Sequence, residues 1–450
     1  MLSNHIAALI NTAKLTAKIS NNPADSVVMQ VMIVSPKGQF SSLGVERFVE
    51  KADFLTDRCT SYLIRVRLQP SVYFDHLVPY RDDLEMHVMS KSGTDSVLRV
   101  FTCVPLVDKD VRTESNNTVA NNLEALDQTN MVPYEFQLIE KGYNKLKNQP
   151  VSNIYQMSNV TDVIKTIMDG ESKRWSADGY DTYKGLYMVE PVDNINKFRQ
   201  IEIPQGMMLK DVVPYLQLHN EYGVYTRGAF AFYKQNYWWV GPTFNTELVD
   251  THHRPIDLIR VPQSKIPDLD STFYRTDASM TIIATGDAEH EDRADIRKQN
   301  TGVGKRVIMG DAIAGDTGYH YNNGRAITTR ADTLQEYKLS ERRDGNEYIP
   351  IDRSPTGNLC KAFSENAFNE GEIVKVEWRN GDVGYIEPCH PTRYQYVYDD
   401  DTTVIRKGVI IGYRSDYVPI TSYPTPMLKR TTILYVFLKR QAKYKAETTE

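Results

Sequence analysis

Cysteine is scarce in this sequence. The four cysteines, Cys59, Cys103, Cys360 and Cys389, form no C-x-x-C pair. Their spacing fits neither a zinc site nor a small disulfide framework. A reducing cytosol at the time of folding is the simplest context. No signal-peptide pattern and no apolar run of membrane-spanning length is present, so a stable membrane anchor is not expected. A polybasic block is missing too. Lys and Arg number 53 against 58 Asp and Glu, a formal charge of −5, which argues against a surface that grips phosphates tightly. The common catalytic signatures are also absent. There is no G-x-S-x-G, and His290-Glu291 lacks the second His of H-E-x-x-H. Asp399-Asp400-Asp401 lacks calcium-loop spacing. Gly302-Val303-Gly304-Lys305-Arg306 is not a phosphate loop, because Gln299 stands where glycine is required and Arg306 where Ser or Thr is. His252 and His253 are adjacent, so on a strand their side chains diverge; they are expected to be structural or surface residues. His290, Asp287, Glu289 and Asp292 are expected in a solvated acidic loop. No catalytic, cofactor-binding or metal-binding residue, and no cofactor, is expected.

What is present is tyrosine, 28 residues against 14 Phe and 4 Trp. Such a composition suits half-buried sheet faces and interfaces. The length allows two to four domains with sizeable cores. The most patterned stretch is 201–242. Ile201 and Ile203 alternate with polar neighbours, and Pro204 and Gly206 break that strand. Leu209, Val212, Val213 and Leu216 follow at helical spacing, with Pro214 in the first turn and Gly223 where a C-terminal cap belongs. An aromatic hairpin then runs from Val224 to Tyr233 and from Tyr237 to Gly241. Tyr233, Tyr237, Trp238 and Trp239 are expected to pack in a core or interface; with only Lys234 beside them they make a poor base-stacking platform.

The rest of the chain reads as strands on both sides of this unit. Met1 to Asn22 is an amphipathic arm with Ile6, Leu9, Ile10 and Leu15 on one helical face. Val27–Val34, Tyr62–Leu68, Leu84–Val88 and Val97–Val104 are expected strands. Residues 108–130 read as a linker, and 134–139 as a short element of helical type. Ser158 to Gly170 is a helix capped by Ser158 or Asn159 and stopped by Gly170. Beyond Asp250 the strands are Ile256–Val261, one near Ile373–Val376, Val404–Tyr413 and Thr431–Leu438, with a turn at Asn380-Gly381-Asp382.

Three separated segments carry a family resemblance. Val78-Pro79-Tyr80-Arg81-Asp82-Asp83-Leu84-Glu85 resembles a turn in the first domain of phage baseplate hub proteins. The helix ending in Glu221-Tyr222-Gly223-Val224-Tyr225 and feeding a hairpin is similar to their middle domain. Lys407-Gly408-Val409-Ile410-Ile411-Gly412, followed by Thr432 to Arg440, resembles their closing strand pair. Thr161-Asp162-Val163-Ile164 and Asp193-Asn194 are compatible with the same pattern. The segment from about Lys265 to Asn358 matches nothing in it.

The resemblance implies an α+β, predominantly β fold, with two tail-tube-like antiparallel β-barrel domains flanking an α+β domain. The expected division is a helical arm at 1–25, a first barrel at 26–110, a middle domain at 111–250, a second β domain at 251–440 with a polar insert near 265–358, and a tail at 441–450. It also implies a structural, non-enzymatic virion protein of a contractile-tailed bacteriophage, related to secretion-system spike proteins. Such a hub is a homotrimer in the tail baseplate, assembled in the host cytoplasm. It joins the sixfold tail tube to the threefold central spike and forms part of the DNA conduit for genome ejection. The implied partners are the tail tube protein, the central spike protein, baseplate wedge proteins and the tape measure protein. The alternatives are a virion-associated cell-wall hydrolase, for which the 286–292 run would have to supply two carboxylates, and a spike component of a secretion apparatus. Further expectations are that the two β domains superimpose, that the arm serves assembly more than folding, and that the channel wall is neutral to acidic.

Overall fold

The structure, a computed structural model, describes residues 26–92, 95–106, 131–176, 179, 182–192, 194–219, 221–261, 273–275, 280–284, 288–291, 305–310, 319–322, 325–328, 334–338, 347–350, 358, 360–361, 364, 367, 371–397, 403–420 and 427–439. The expected arm, the 108–130 linker, Asp193, Gly302 to Gly304, Asp399 to Asp401 and the C-terminal tail lie outside these residues.

Seven strands come from the first third of the sequence: β1 (Val27–Ser35), β2 (Gly38–Ser41), β3 (Gly44–Asp53), β4 (Ser61–Leu68), β5 (Glu85–Ser92), β6 (Asp95–Leu106) and β7 (Val132–Glu140). Alternation decides their faces. Tyr62, Ile64, Val66 and Leu68 are buried, while Arg65 and Arg67 turn outward and meet Glu46 at 3.2 and 2.6 Å. The turn before β5 is a 3-10 turn, Val78–Tyr80, whose carbonyls take the N–H groups of Arg81 and Asp83. Residues 134–139 are a strand and not the expected helical element. Tyr134, Phe136 and Leu138 recur at period two, and β7 pairs with β4 on one side and β6 on the other.

The middle unit contains α1 (Lys141–Leu146), β8 (Pro150–Ser158), α2 (Val160–Trp175), β9 (Gly185–Met188), β10 (Phe198–Met208), α3 (Val212–Leu218), β11 (Phe230–Lys234) and β12 (Tyr237–Gly241). β8 pairs with β10, and β11-β12-β9 make a second small sheet. Asn159 caps α2, accepting the Asp162 N–H at 2.7 Å. The helix buries Val160, Val163, Ile164, Ile167 and Met168, each worth roughly 1.5–3 kcal/mol as an upper estimate. Gly170 does not stop it. The helix continues because Ser172, two residues further, is buried and takes the Trp238 indole N–H at 2.9 Å. A Cβ at Gly170 would meet nothing within 4 Å. Gly170→Ala is therefore expected to raise stability by about 0.5–1 kcal/mol, read as a higher urea midpoint.

The second β unit follows: β13 (Ile256–Arg260), β14 (Phe273–Arg275), β15 (Met280–Ala284), β16 (Ala288–Glu291), β22 (Gly371–Arg379) and β23 (Pro391–Val397). Between β16 and β22 lie β17 (Lys305–Gly310), β18 (Tyr319–Asn322), β19 (Arg325–Thr328), β20 (Leu334–Lys338) and β21 (Glu347–Pro350), which pair among themselves. Two expectations change here. β13 pairs in parallel with both β15 and β23, so the unit is mixed and not antiparallel. The long connections that run from β13 to β15 and on to β23 make that pairing possible. Met280–Ala284, inside the stretch read as a polar insert, is buried at every position and belongs to the main sheet.

The last two strands join the units. β24 (Thr403–Pro419) and β25 (Met427–Lys439) pair with each other along most of their length. β24 pairs with β23 up to Val409 and with β3 from Gly412 onward. β25 meets β1 at Met427 and Leu428, then β22 from Thr431 onward. The path β1-β5-β6-β7-β4-β3-β24-β25-β1 thus returns on itself, eight strands with every neighbour antiparallel. Closure removes the exposed strand edges that a seven-strand sheet would leave. Pairing of the first ring runs across residue 110 through β7 and across residue 250 through β24 and β25. β7 and parts of β24 and β25 complete the first ring of strands. Among the described residues no helix is long and apolar enough to cross a membrane.

Candidate functional site

Charged residues occupy inward positions where the three units meet. On β3, Glu50 follows Phe48 and precedes Ala52 in the buried register, and it is only 2% exposed. On β6, Arg99 is in phase with Phe101 and Cys103. On β7, Glu140 follows Phe136 and Leu138 in the same phase. On β25, Arg430 stands between Leu428 and Thr432 in the buried phase. With Lys234 of β11 and Asp382 of the turn after β22, these residues line a cavity of about 680 Å³.

Each charge has a partner, as burial demands. Arg99 lies 3.4 Å from Glu50, and the Tyr413 hydroxyl donates to Glu50 at 3.2 Å. Tyr62 donates to Glu140 at 3.0 Å. Lys234 donates to the Val383 and Ile386 carbonyls, both at 2.7 Å, and its ammonium sits 5.0 Å from the centre of the Tyr413 ring. Arg430 pairs with Asp382 at 3.3 Å and donates to the Asn380 carbonyl at 3.0 Å. Chemically this is an electrostatic joint. Lys234 ties the middle unit's hairpin to the second β unit, and Glu50, Arg99 and Glu140 bring in the first ring.

Burial pushes the Glu140 carboxyl up to about 7, against the pull of its Tyr62 hydrogen bond and of Arg99. Burial likewise lowers the Lys234 ammonium to about 8, although Glu50 and Glu140 favour its charge. For Glu140 the folded form holds its proton more tightly than an ordinary carboxyl near 4.5, so stability falls as pH rises from 4.5 to 7. For Lys234 the sign is opposite, and stability is regained between 8 and 10.5. Glu140→Gln keeps an acceptor for Tyr62 and cannot ionise. It is expected to flatten the lower window, matching the parent below pH 4.5 and exceeding it by roughly 1–3 kcal/mol above pH 7 in urea unfolding across pH.

The Tyr-Gly step is wired by three amides. α3 ends at Leu218 with His219 as its cap, so the expected cap at Gly223 lies four residues beyond. The Gly223 N–H still returns to the Leu216 carbonyl at 2.9 Å. Gly223 has φ +85°, and a Cβ there would stand 2.2 Å from Asn358 Oδ1. Only glycine fits both conditions. Asn358 donates to the Gln217 and His219 carbonyls at 2.7 and 2.6 Å, closing the end of α3. Asn194 donates to the Tyr222 and Gly223 carbonyls at 3.1 and 2.8 Å. Gln217 accepts from the N–H groups of Val224 and Tyr225. The hairpin starts at Phe230 and turns at Gln235-Asn236, with φ of 54° and 67°, as a two-residue turn with both φ positive requires. Tyr233 and Trp238 are fully buried, and Tyr237 and Trp239 are half-buried.

The expected divergence of His252 and His253 is not observed. They lie in a turn and not on a strand, their rings 4.5 Å apart, and both face Glu387. His252 Nε2 is 3.1 Å and His253 Nε2 3.6 Å from that carboxylate. His390 holds the two segments together. Its Nδ1 accepts the Glu387 N–H at 3.1 Å, which leaves Nε2 to donate to the Arg254 carbonyl at 2.7 Å. Burial pushes His390 down to about 4, so the ring is neutral. Burial raises Glu387, but the His252 hydrogen bond and the neighbouring histidines outweigh it and hold the carboxyl below its usual range. Residues 288–291 of the expected acidic loop form β16 against β22. Lys305 and Arg306 fall in β17.

Residues 84–273 match the family model described as Bacteriophage PBS1 gene 109 protein. The segment similar to the gene 109 protein runs from the start of β5 to β14, and contains Arg99, Glu140, the Tyr-Gly step and Lys234. No curated protein matches the chain. Solved structures similar to it include phage tail and baseplate chains and also chains of the Francisella PdpA-VgrG complex and a type VI secretion component from E. coli. A tail protein from Neisseria meningitidis MC58 is 10% identical, with 92% of this chain and 97% of that one covered and a TM-score of 0.48. The 43 kDa tail protein of prophage MuSo2 from Shewanella oneidensis is 8% identical, covering 90% and 98%, with a TM-score of 0.49. A chain of the phage P2 baseplate in its activated conformation is 10% identical, covering 90% and 98%, with a TM-score of 0.32.

Proposed function

We propose that this chain is a structural subunit of a phage tail baseplate: a homotrimeric hub that joins a sixfold tail tube to a threefold central spike and lines part of the DNA conduit. The match to a phage protein family supports the phage assignment. The observation that carries the hub reading is the shared strand pair. One chain builds two β units on the continuous strands β24 and β25, so three chains offer six such units in fixed orientation. Joining sixfold to threefold symmetry needs that arrangement. The two β units act as tube-like barrels. The tail tube protein, the central spike protein, baseplate wedge proteins and the tape measure protein are the partners in this reading. The work is done by interface area and shape, without catalysis.

A channel wall that is neutral to acidic fits this role, because Lys and Arg contacts would retain DNA where it must move. Antibody labelling of intact particles in the electron microscope tests the assignment. Label at the junction of tail tube and spike is expected. Label on the head, or none on particles that carry the gene product, overturns it.

A further inference from the structure

We propose that His252, His253 and Glu387 form a binding site for one first-row divalent cation, zinc above all, which staples two segments of the second β unit. The inference is independent of the hub reading and rests on how the fold brings the ligands together. β13 and β23 run in parallel, with Ile256 opposite Thr392. The segments that lead into a parallel pair lie side by side. His252 and His253 precede β13 by a few residues, and Glu387 precedes β23 by a similar distance. Parallel pairing therefore places them together, and candidate ligand atoms of the three lie within 4.8 Å of one another.

The donor set suits the ion. Two imidazoles and one carboxylate, with a fourth position open to water, are a recurrent zinc environment, and imidazole favours zinc, copper and nickel over calcium and magnesium. Supporting groups are already in place. His390 fixes both segments through the Glu387 N–H and the Arg254 carbonyl, the kind of outer contact that orients ligands. Exposure differs usefully: the His253 side chain is 66% exposed and the His252 side chain 18%, so an ion can enter from solvent and still rest on a half-buried base. The proton balance is simple. His252 Nδ1 accepts the Arg254 N–H at 3.2 Å, so its proton sits on Nε2. On loading, that proton passes through solvent to Nδ1, Nε2 takes the cation, and the contact between Nδ1 and the Arg254 N–H must open, since two donors cannot face each other at 3.2 Å. No net proton is released from the ring.

The test is a titration of the untagged full-length chain with cobalt(II), followed by zinc displacement. One equivalent per chain is expected, with the visible bands of four- or five-coordinate cobalt, bleached by zinc, and a melting temperature raised by either ion. His253→Ala, His252→Ala and Glu387→Gln are each expected to weaken binding by more than about tenfold. His253 is the most exposed of the three, so the His253→Ala chain is expected to fold, and its metal-free melting curve is the control that keeps the test decisive. Absence of bands at about 0.1 mM cobalt (far above the Kd that a structural ion's binding energy implies), or binding that all three variants retain, overturns the proposal.

Discussion

Replacing Gly412 with valine is expected to remove the folded protein from the soluble fraction, and alanine there to cost roughly 3 kcal/mol. Gly412 is the point at which β24 passes from one β unit to the other. Up to Val409 the strand pairs with β23, and from Gly412 it pairs with β3. Its register against β25 shifts between Ile410 and Gly412, the mark of a bulge, which bends a strand at such a junction. The Ile411 carbonyl accepts the Phe54 N–H at 3.0 Å within this bend. A Cβ on residue 412 would stand 2.6 Å from the Ala52 carbonyl oxygen. That atom is backbone in a paired strand and cannot swing aside as a side chain would. The added methyl must push β3 away, opening the closed ring of strands and the joint around Glu50 together. Urea midpoints of Gly412→Ala and Gly170→Ala give the contrast, because the same change is expected to stabilise at 170. A Gly412→Ala protein as stable as its parent would contradict the branch-point role.

Arg430→Met is expected to cost about 3–5 kcal/mol. The methionine can fill much of the space, so the loss is electrostatic. Arg430 is 3% exposed and pairs with Asp382, whose other carboxylate oxygen takes the Gly384 N–H at 2.9 Å. Burial alone would raise the Asp382 carboxyl; Arg430 first, and the Gly384 N–H next, hold it below its usual range. Without Arg430 a carboxylate is left in the cavity wall with its strongest counter-charge gone. The Asn380 carbonyl loses a donor, and Tyr417 loses the guanidinium 5.7 Å from its ring centre. The pH dependence carries the cause. In the parent, the Asp382 contribution is present above the ordinary Asp value near 3.8 and is lost as pH falls through its lower folded value. In the variant, Asp382 protonates at higher pH and sheds its penalty. The deficit is therefore full at neutral pH and shrinks in acid. A deficit independent of pH between 3 and 7 (about the span in which such a carboxyl would titrate) would point to packing instead.

The strands were legible wherever one face is buried, because period-two alternation is imposed by burial itself. Leu84, Met86 and Val88 illustrate it, all at 3% exposure or less. Length and partner choice were not legible. β24 extends six residues past the expected end at Tyr413, since its continuation to Pro419 pairs with β3 and β25 from distant parts of the chain. β7 differs from the expected helical element for the same reason: strands on both sides, β4 and β6, decide its conformation, and both come from elsewhere in the chain. The electrostatic joint does carry a signal in the sequence. Glu50, Arg99, Glu140 and Arg430 each sit in the inward phase of a strand, where an apolar residue is the default. The convergence of His252 and His253 on Glu387 left none, because it depends on a parallel pairing between segments far apart in sequence.

The mass and shape of the recombinant assembly test the central claim most directly. Single-particle cryo-electron microscopy of the purified chain, with native mass measurement alongside, reads both. Three copies of the 51.5 kDa chain are expected, in a ring around an open channel, with two β units per copy making six positions about the axis. A chain that stays monomeric at micromolar concentration, or a ring of any other symmetry, would contradict the hub.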